Sequence, residues 1–395
     1  MMLPPNLPAW VATVAGIQTV GFFGKALLDA GGLDVPYALN AKNEQERRER
    51  IVQGSLIMAF AYGFSPIHST LNAQLFRRGI KNVSEVDRNA LFRLHYKDLD
   101  NPALFADALK KTLPHLNLDQ KALSLLRKQI FHAKTSHLIV DLAMEGLLLT
   151  SVPFLSKLST QFLTGDSHFV GERNLATKED LNALYQKEDQ EKKKRKQNDA
   201  FHTLATLALG AGLPVGVGFS IRHALSSKNP SPNFIQSFFK KVAPDFEYQY
   251  LEKLKWFKHI PVLPVAALVP VFLAFNLGRI MSTRSKREFK ETVVQEPLFF
   301  ASFFLVTPLI FRVLNKGAKS IAERLQTLVK AKASKEEINR VGRYSALTFI
   351  GAYLSTILVN IGVVNWTNQM TRKGIQDEVN ALHATQQSHP PHPHK

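Results

Sequence analysis

The chain contains no cysteine at all. Disulfides, zinc–thiolate sites, iron–sulfur clusters and thiol catalysis are excluded at once, although the redox compartment stays open. Polar aromatics are scarce as well: three Trp and eight Tyr stand against 27 Phe, a balance that suits buried or lipid-facing helices better than a wet surface. The sequence signatures of catalysis are missing. There is no GxGxxG after a strand, no P-loop, no HExxH, no GxSxG and no EF-hand loop. Asp98-Leu99-Asp100 lacks the glycine and closing glutamate of a calcium loop. The thirteen histidines include no His-x3-His pair on one helix. Enzymatic activity is therefore unsupported, and neither a cofactor nor a metal ion is implied. A membrane enzyme with dispersed residues remains compatible with such a sequence.

Charge is also missing from long stretches. Leu3–Gly24, Ile51–Phe76, Ala200–Ile221, His259–Gly278 and Tyr344–Thr371 carry no Asp, Glu, Lys or Arg. At this charge content, chance gives roughly one such run. Each is long enough for the ~30 Å hydrocarbon core of a bilayer, which takes about 20 helical residues. The expected fold is all-α: a polytopic membrane helix bundle of six to seven apolar segments, several broken by proline, with short amphipathic helical inserts. A soluble all-helical bundle competes with it, because a mean hydropathy of −0.08 is low for a chain packed with spans. The amino terminus has no positive n-region and no small-residue cleavage site, so the first run reads as a retained span.

The organisation follows from these runs. Residues 1–76 form an N-terminal apolar helix pair, and 77–133 a basic amphipathic insert. Residues 134–165 form an apolar helix with intramembrane acids, and 166–199 a charged helical linker. Membrane helices fill 200–313, with an interfacial helix over 245–258. A second charged insert takes 314–343, the last membrane helix 344–371, and a disordered His/Pro tail 372–395. Helix starts are marked by Ser84 with Asp87, by Asn101-Pro102, by Asp119 and by Thr177 with Asp180. Five Gly or Pro residues fall between Gly210 and Gly218, which predicts a kink or tight backbone packing. Over 245–258, Phe246, Tyr250, Leu254 and Phe257 share one face. Tyr250, Lys253, Lys255, Trp256 and Lys258 are the candidate lipid-interface residues.

The net charge is +18 and the pI about 9.9. Lys and Arg flank apolar runs and do not gather in one aromatic-laced patch, so anionic lipid headgroups are the expected partner and nucleic acid is not favoured. Lys192–Lys196 resembles a nucleic-acid patch, but acids precede it and an apolar run follows, as at a solvated helix end. Protein partners are not identified. If seven segments alternate across a membrane, Lys and Arg divide almost evenly between the two sides, which the positive-inside rule does not expect. The compact charged linkers at 41–50 and 279–292 put the amino terminus outside. Ser65-Pro66 and Thr307-Pro308, each with Arg-Glu upstream (Arg48-Glu49 and Arg287-Glu288), hint at a duplicated helical hairpin. Coincidence explains them equally well, since proline is common in membrane helices.

The candidate site is a stripe. His137, Asp141 and Glu145 are spaced four apart, so on a helix they lie above one another amid apolar neighbours, with Lys134 one turn earlier. Carboxylates at mid-membrane demand a partner or water. Arg279 and Glu296 complete the candidate intramembrane polar set. Three readings compete: a structural ion pair at a helix end, a proton or cation path, and a divalent metal held by His137, Asp141 and Glu145. The expected function is that of a multi-pass membrane protein in a bacterial-type inner (plasma) membrane, with a role in transport or permeation of an ion or small solute. The alternative is a non-transporting scaffold that binds anionic lipids and partner proteins through its basic amphipathic inserts.

Overall fold

The computed structural model describes residue 4 and residues 7–19, 26, 30–165, 168–194, 199–226, 233–250 and 260–388. The fold is all-α. The first helices are α1 (Ala9–Thr19), α2 (Val35–Leu39), α3 (Glu44–Ile57), α4 (Ser65–Arg77), α5 (Glu85–Phe92), α6 (Tyr96–Asp100) and α7 (Pro102–Thr112). Next come α8 (Gln120–Thr164), α9 (Lys178–Lys194), α10 (Asp199–Ser226) and α11 (Phe234–Val242). A two-residue pair, β1 (Gln249–Tyr250) antiparallel to β2 (Pro261–Val262), is the only sheet among the described residues. The rest is α12 (Val265–Met281), α13 (Lys286–Ala301), α14 (Thr307–Leu314), α15 (Ile321–Lys330) and α16 (Lys335–Ser388).

Local chemistry sets the helix starts. The side chains of Asn43, Ser84, Asn101, Asp119, Ser285 and Ser320 each accept a backbone N–H of the first turn. The Thr177 hydroxyl does the same for Asp180 N–H at 3.2 Å. The starts expected at Ser84, Asn101, Asp119 and Thr177 are all present. Two prolines reshape the helices around them. Proline has no N–H to donate and crowds the carbonyl four residues back. The chain answers with a wide π turn before each one. Met58–Phe64 joins α3 to α4 ahead of Pro66, and Ser302–Val306 joins α13 to α14 ahead of Pro308. In both, an i→i−5 bond closes the turn: Ser65 N–H to Phe60 O, and Thr307 N–H to Ser302 O.

Four described helices are long and apolar enough to cross a membrane by length and composition: Gln120–Thr164, Phe201–Ser226, Lys286–Leu314 and Lys335–Thr385. The sequence-based count of six to seven is thus corrected to four among the described residues. Ala9–Gln18 and Ala266–Met281 are apolar but short. Three further expectations change. Residues 120–133 join the apolar stretch in one 45-residue helix, about 68 Å long at 1.5 Å per residue. The tail is helical to Ser388, because α16 runs on unbroken from its apolar stretch. The interfacial helix over 245–258 does not form in its described part. Ala243–Phe246 is a 3-10 turn held by Pro244, and Gln249–Tyr250 pairs with Pro261–Val262. Lys253, Lys255, Trp256 and Lys258, with Leu254 and Phe257, lie outside the described residues.

The main core lies where α8, α10, α12 and the α3–α4 rod meet, filled by Leu138, Leu142, Leu149, Val271 and Phe275. A second core lies under the 77–133 insert, around Leu91, Phe105 and Ile130. A third joins α1, α14, α15 and α16. Helices α8 and α10 touch backbone to backbone. A methyl group added at Gly146 would lie 2.4 Å from Gly210 O, and one at Gly210 would lie 2.1 Å from Thr150 Oγ1. Of the glycine run, Gly210 and Gly218 thus pack tightly against α8, and α10 continues through Pro214 as one helix.

Buried charge gathers at one end of the bundle. Lys42 Nζ bridges Glu46 (3.1 Å) and Glu291 (2.7 Å), and Arg50 pairs with Glu46 at 2.8 Å. Arg284 reaches Glu49 at 2.8 Å, and Arg287 reaches Glu172 at 2.8 Å and Glu188 at 3.0 Å. The insert side forms the other end, where Lys240 meets Asp100 and His95 meets Glu247.

Candidate functional site

Helix α8 points its stripe inward. His137, Asp141 and Glu145 are fully buried, at 0% exposure each. Proline-displaced α4 supplies the facing side, because the π turn sets His68, Ser69 and Asn72 against α8. His68 sits between the two acids. Its Nε2 lies 2.9 Å from Glu145 Oε1, and its Nδ1 lies 3.5 Å from Asp141 Oδ1. Asn72 Nδ2 donates to Asp141 Oδ1 at 2.7 Å. Tyr248 OH donates to Asp141 Oδ2 at 2.7 Å, and His137 Nε2 is 3.2 Å from the same oxygen. His137 also contacts Ser69 O at 2.9 Å, and its ring stacks on Tyr248 with centroids 4.3 Å apart. Ser65 lies beside Glu145, whose Oε2 is buried with no hydrogen-bond partner among the described residues.

The result is a file of neighbouring polar groups: Tyr248, Asp141, His68, Glu145 and Ser65. At its Tyr248 end lies a cavity of about 170 Å³, bordered by His95, Lys134, His137, Glu247 and Tyr250. Burial pushes the Tyr248 phenol well above its ordinary pKa, and the Asp141 carboxylate beside it adds to the rise. Tyr250 is pushed up to about 12 by burial, against the pull of Arg77 and Arg93. Both phenols therefore stay protonated at neutral pH. Tyr248 is a standing donor to Asp141.

The five sequence candidates fall into two groups. His137, Asp141 and Glu145 come together. Arg279 and Glu296 pair with each other elsewhere, Nη1 to Oε1 at 2.9 Å, with Arg279 Nη2 donating to Tyr37 OH at 2.6 Å. They border a second cavity of about 60 Å³ between α3 and α13, and contribute nothing to the stripe. Lys134 turns away too: its ammonium donates to Leu94 O and lies 4.9 Å from the Tyr96 ring centre. Tyr250, placed at a lipid interface from the sequence, is instead half-buried beside the larger cavity under Arg93.

Among the described residues, no group of three or more His, Asp or Glu is placed to hold a metal ion. Both oxygens of Asp141 already accept from Asn72 and Tyr248, which leaves that acid no open position for a metal ion. His68 and Asn72 carry only a weak sequence signal, as polar residues in the far half of the uncharged run Ile51–Phe76. Tyr248, 107 residues from Asp141, carried no signal at all. No protein-family model, no curated protein and no solved structure matches this chain.

Proposed function

We propose that the protein is a multi-pass membrane protein that binds and passes protons through the file from Tyr248 to Ser65. One observation carries the reading. A single imidazole, His68, bridges two fully buried carboxylates inside a helix apolar enough to span a bilayer. Ionisable groups at such depth are expensive and mark ion or proton pathways. Cavity size narrows the cargo. A cavity of about 170 Å³ holds a few waters, whereas small-molecule sites occupy roughly 300–1,000 Å³. The expected ion-or-solute role therefore contracts to its smallest members.

Exposure supports the membrane part of the proposal. Only 11% of the apolar stretch of Lys286–Leu314 is buried within the chain, and 22% of that in Lys335–Thr385. Leu305, Leu309, Leu354 and Leu358 are exposed on them. A soluble bundle would turn such faces inward. Lipid is the occupant that suits them, and the basic residues at the helix ends suit the anionic headgroups of a bacterial-type inner membrane.

The test is reconstitution into liposomes loaded with a pH-sensitive dye, with a potassium diffusion potential as driving force. Acidification or alkalinisation above that of protein-free vesicles is expected, and Asp141→Asn or Glu145→Gln should remove most of it. Flux equal to that of empty vesicles would refute the proposal. A scaffold role has its own support in the ion pairs that lock one end of the bundle, such as Lys42–Glu291 and Arg284–Glu49. It predicts binding to anionic vesicles with no proton flux.

A further inference from the structure

We infer that the chain is an internal duplication, two copies of one helical unit related by a two-fold axis along the helices, and that the polar file is a specialisation of the first copy alone. The first unit runs from Asp34 through α3, α4 and α8. The second runs from Asn276 through α13, α14 and α16.

The first line of argument is register. Residues separated by 242 positions play the same parts. Asn43 and Ser285 cap their helices by accepting from Glu46 N–H and Glu288 N–H. Each of those glutamates returns to accept the N–H of Lys42 or Arg284, at 2.5 Å in both units. The i→i−5 bonds of the π turns also correspond, Ser65 to Phe60 and Thr307 to Ser302. Pro66 and Pro308 come next, at matching places.

The second line is reciprocity. Exchange each residue for its counterpart and the Lys42–Glu291 bridge becomes the Arg284–Glu49 bridge; both exist, at 2.7 and 2.8 Å. The long helices obey a second constant spacing, 211, which pairs Lys157 with Asn368. Asn368 Nδ2 donates to Asn40 O of the first unit at 2.7 Å. Lys157 Nζ donates to Ser282 O, the counterpart carbonyl in the second. Contacts that swap in this way are the mark of a two-fold relation. Lys42 and Arg284 both lie over the Phe169 ring, at 5.1 and 5.5 Å, so the two units begin at the same end. The repeats are therefore parallel, not inverted.

The consequence falls on the site of the proposed function, and this part rests on that reading. Where the first unit has Ser65 against Glu145, the second has Thr307 hydrogen-bonded to Thr356. His68 corresponds to Ile310, His137 to Thr348, and Asp141 to Ala352. The same helix contact thus has no titratable group at these three positions. Packing does not require the charges of the first unit.

Two measurements test the inference. The chain has no cysteine, so single cysteines at Arg48, Lys81, Lys290 and Lys319, all exposed, report cleanly. In sealed vesicles an impermeant maleimide should label positions 81 and 319 from one side, and 48 and 290 from the other. Labelling of 81 and 319 from opposite sides would overturn the parallel two-fold. Labelling of all four from one side would overturn the membrane reading instead and leave the duplication to the second measurement. There, the double variant His68→Ile, Glu145→Thr writes the second unit's residues into the first. It should express and melt within a few degrees of the parent while losing proton flux. Aggregation or a collapse in melting temperature would overturn the equivalence of the two contacts.

Discussion

The glycines of α10 allow a prediction with its own control. Gly210, Gly212, Gly216 and Gly218 lie on one helix, and Gly146 faces it from α8. A β-carbon at Gly146 would sit 2.4 Å from Gly210 O and 2.8 Å from Pro214 Cγ; one at Gly210 would sit 2.1 to 2.6 Å from Thr150; one at Gly218 would sit 2.9 Å from Ile139 Cγ1. At Gly212 and Gly216 nothing lies within 4 Å. Ordinary contact begins near 3.4 Å, so alanine at Gly146 or Gly210 must push the helices apart by about 1 Å, which forfeits a quarter to a half of each displaced dispersion contact. Overpacking of this kind costs about 1–3 kcal/mol. Alanine in a helix is otherwise favoured over glycine by about 1 kcal/mol. Gly146→Ala and Gly210→Ala should therefore destabilise, whereas Gly212→Ala and Gly216→Ala should be neutral or stabilising. The propensity gain applies to both classes, so they should differ by the overpacking cost, roughly 1–3 kcal/mol. Intrinsic-fluorescence melting in detergent would read this as a drop of several degrees in the first class and none in the second. Equal melting temperatures for Gly210→Ala and Gly212→Ala would refute the close approach of α8 and α10.

Two other predictions rest on buried polar groups. Arg279→Met leaves Glu296 buried without its cation, and loss of one partner of a buried pair costs about 3–5 kcal/mol. The double variant Arg279→Met, Glu296→Gln should recover much of that, and melting no better than the single variant would count against the pairing. Tyr250 has a pKa raised to about 12 by burial. A group raised in the folded state contributes fully below its unfolded pKa of about 10 and loses that contribution as pH climbs through about 12. Alkaline stability should thus fall by about 2–3 kcal/mol over that window, and Tyr250→Phe should flatten the decline; an unchanged profile in the variant would assign it to another group.

Much of the site was legible because helical spacing is rigid. Three polar residues four apart must share a face, and apolar neighbours put that face in a low dielectric, so the stripe of His137, Asp141 and Glu145 could be read without coordinates. Caps were equally readable, since Ser84, Asn101, Asp119 and Thr177 satisfy N–H groups within three residues of themselves. What could not be read was who faces whom. Arg279 was a plausible partner for the stripe by charge alone, yet Tyr37 and Glu296 hold it at another cavity. Tyr248 reaches Asp141 from the end of a short loop whose course no periodicity encodes.

The duplication shows why spacing alone stops there. Pairing Arg48-Glu49 with Arg287-Glu288 sets the register three residues from the one the caps and π turns impose. On a helix, a shift of three or four returns nearly the same face, so charged residues recur in both registers and the sequence does not choose between them. Only features that act at a single position break the tie. A cap works at one residue, and an i→i−5 bond closes at one residue before a proline. Once these fix the register, Glu145 falls opposite Thr356 and Asp141 opposite Ala352. A buried acid whose counterpart is a hydroxyl or a methyl group in the same contact does not owe its place to packing. This separates the stripe from the other buried charges. Lys42 and Arg284, or Glu46 and Glu288, carry the same charge in both units and hold one end of the bundle together. The charge of the file occurs in one unit only, so the search for activity belongs at His68, Asp141 and Glu145.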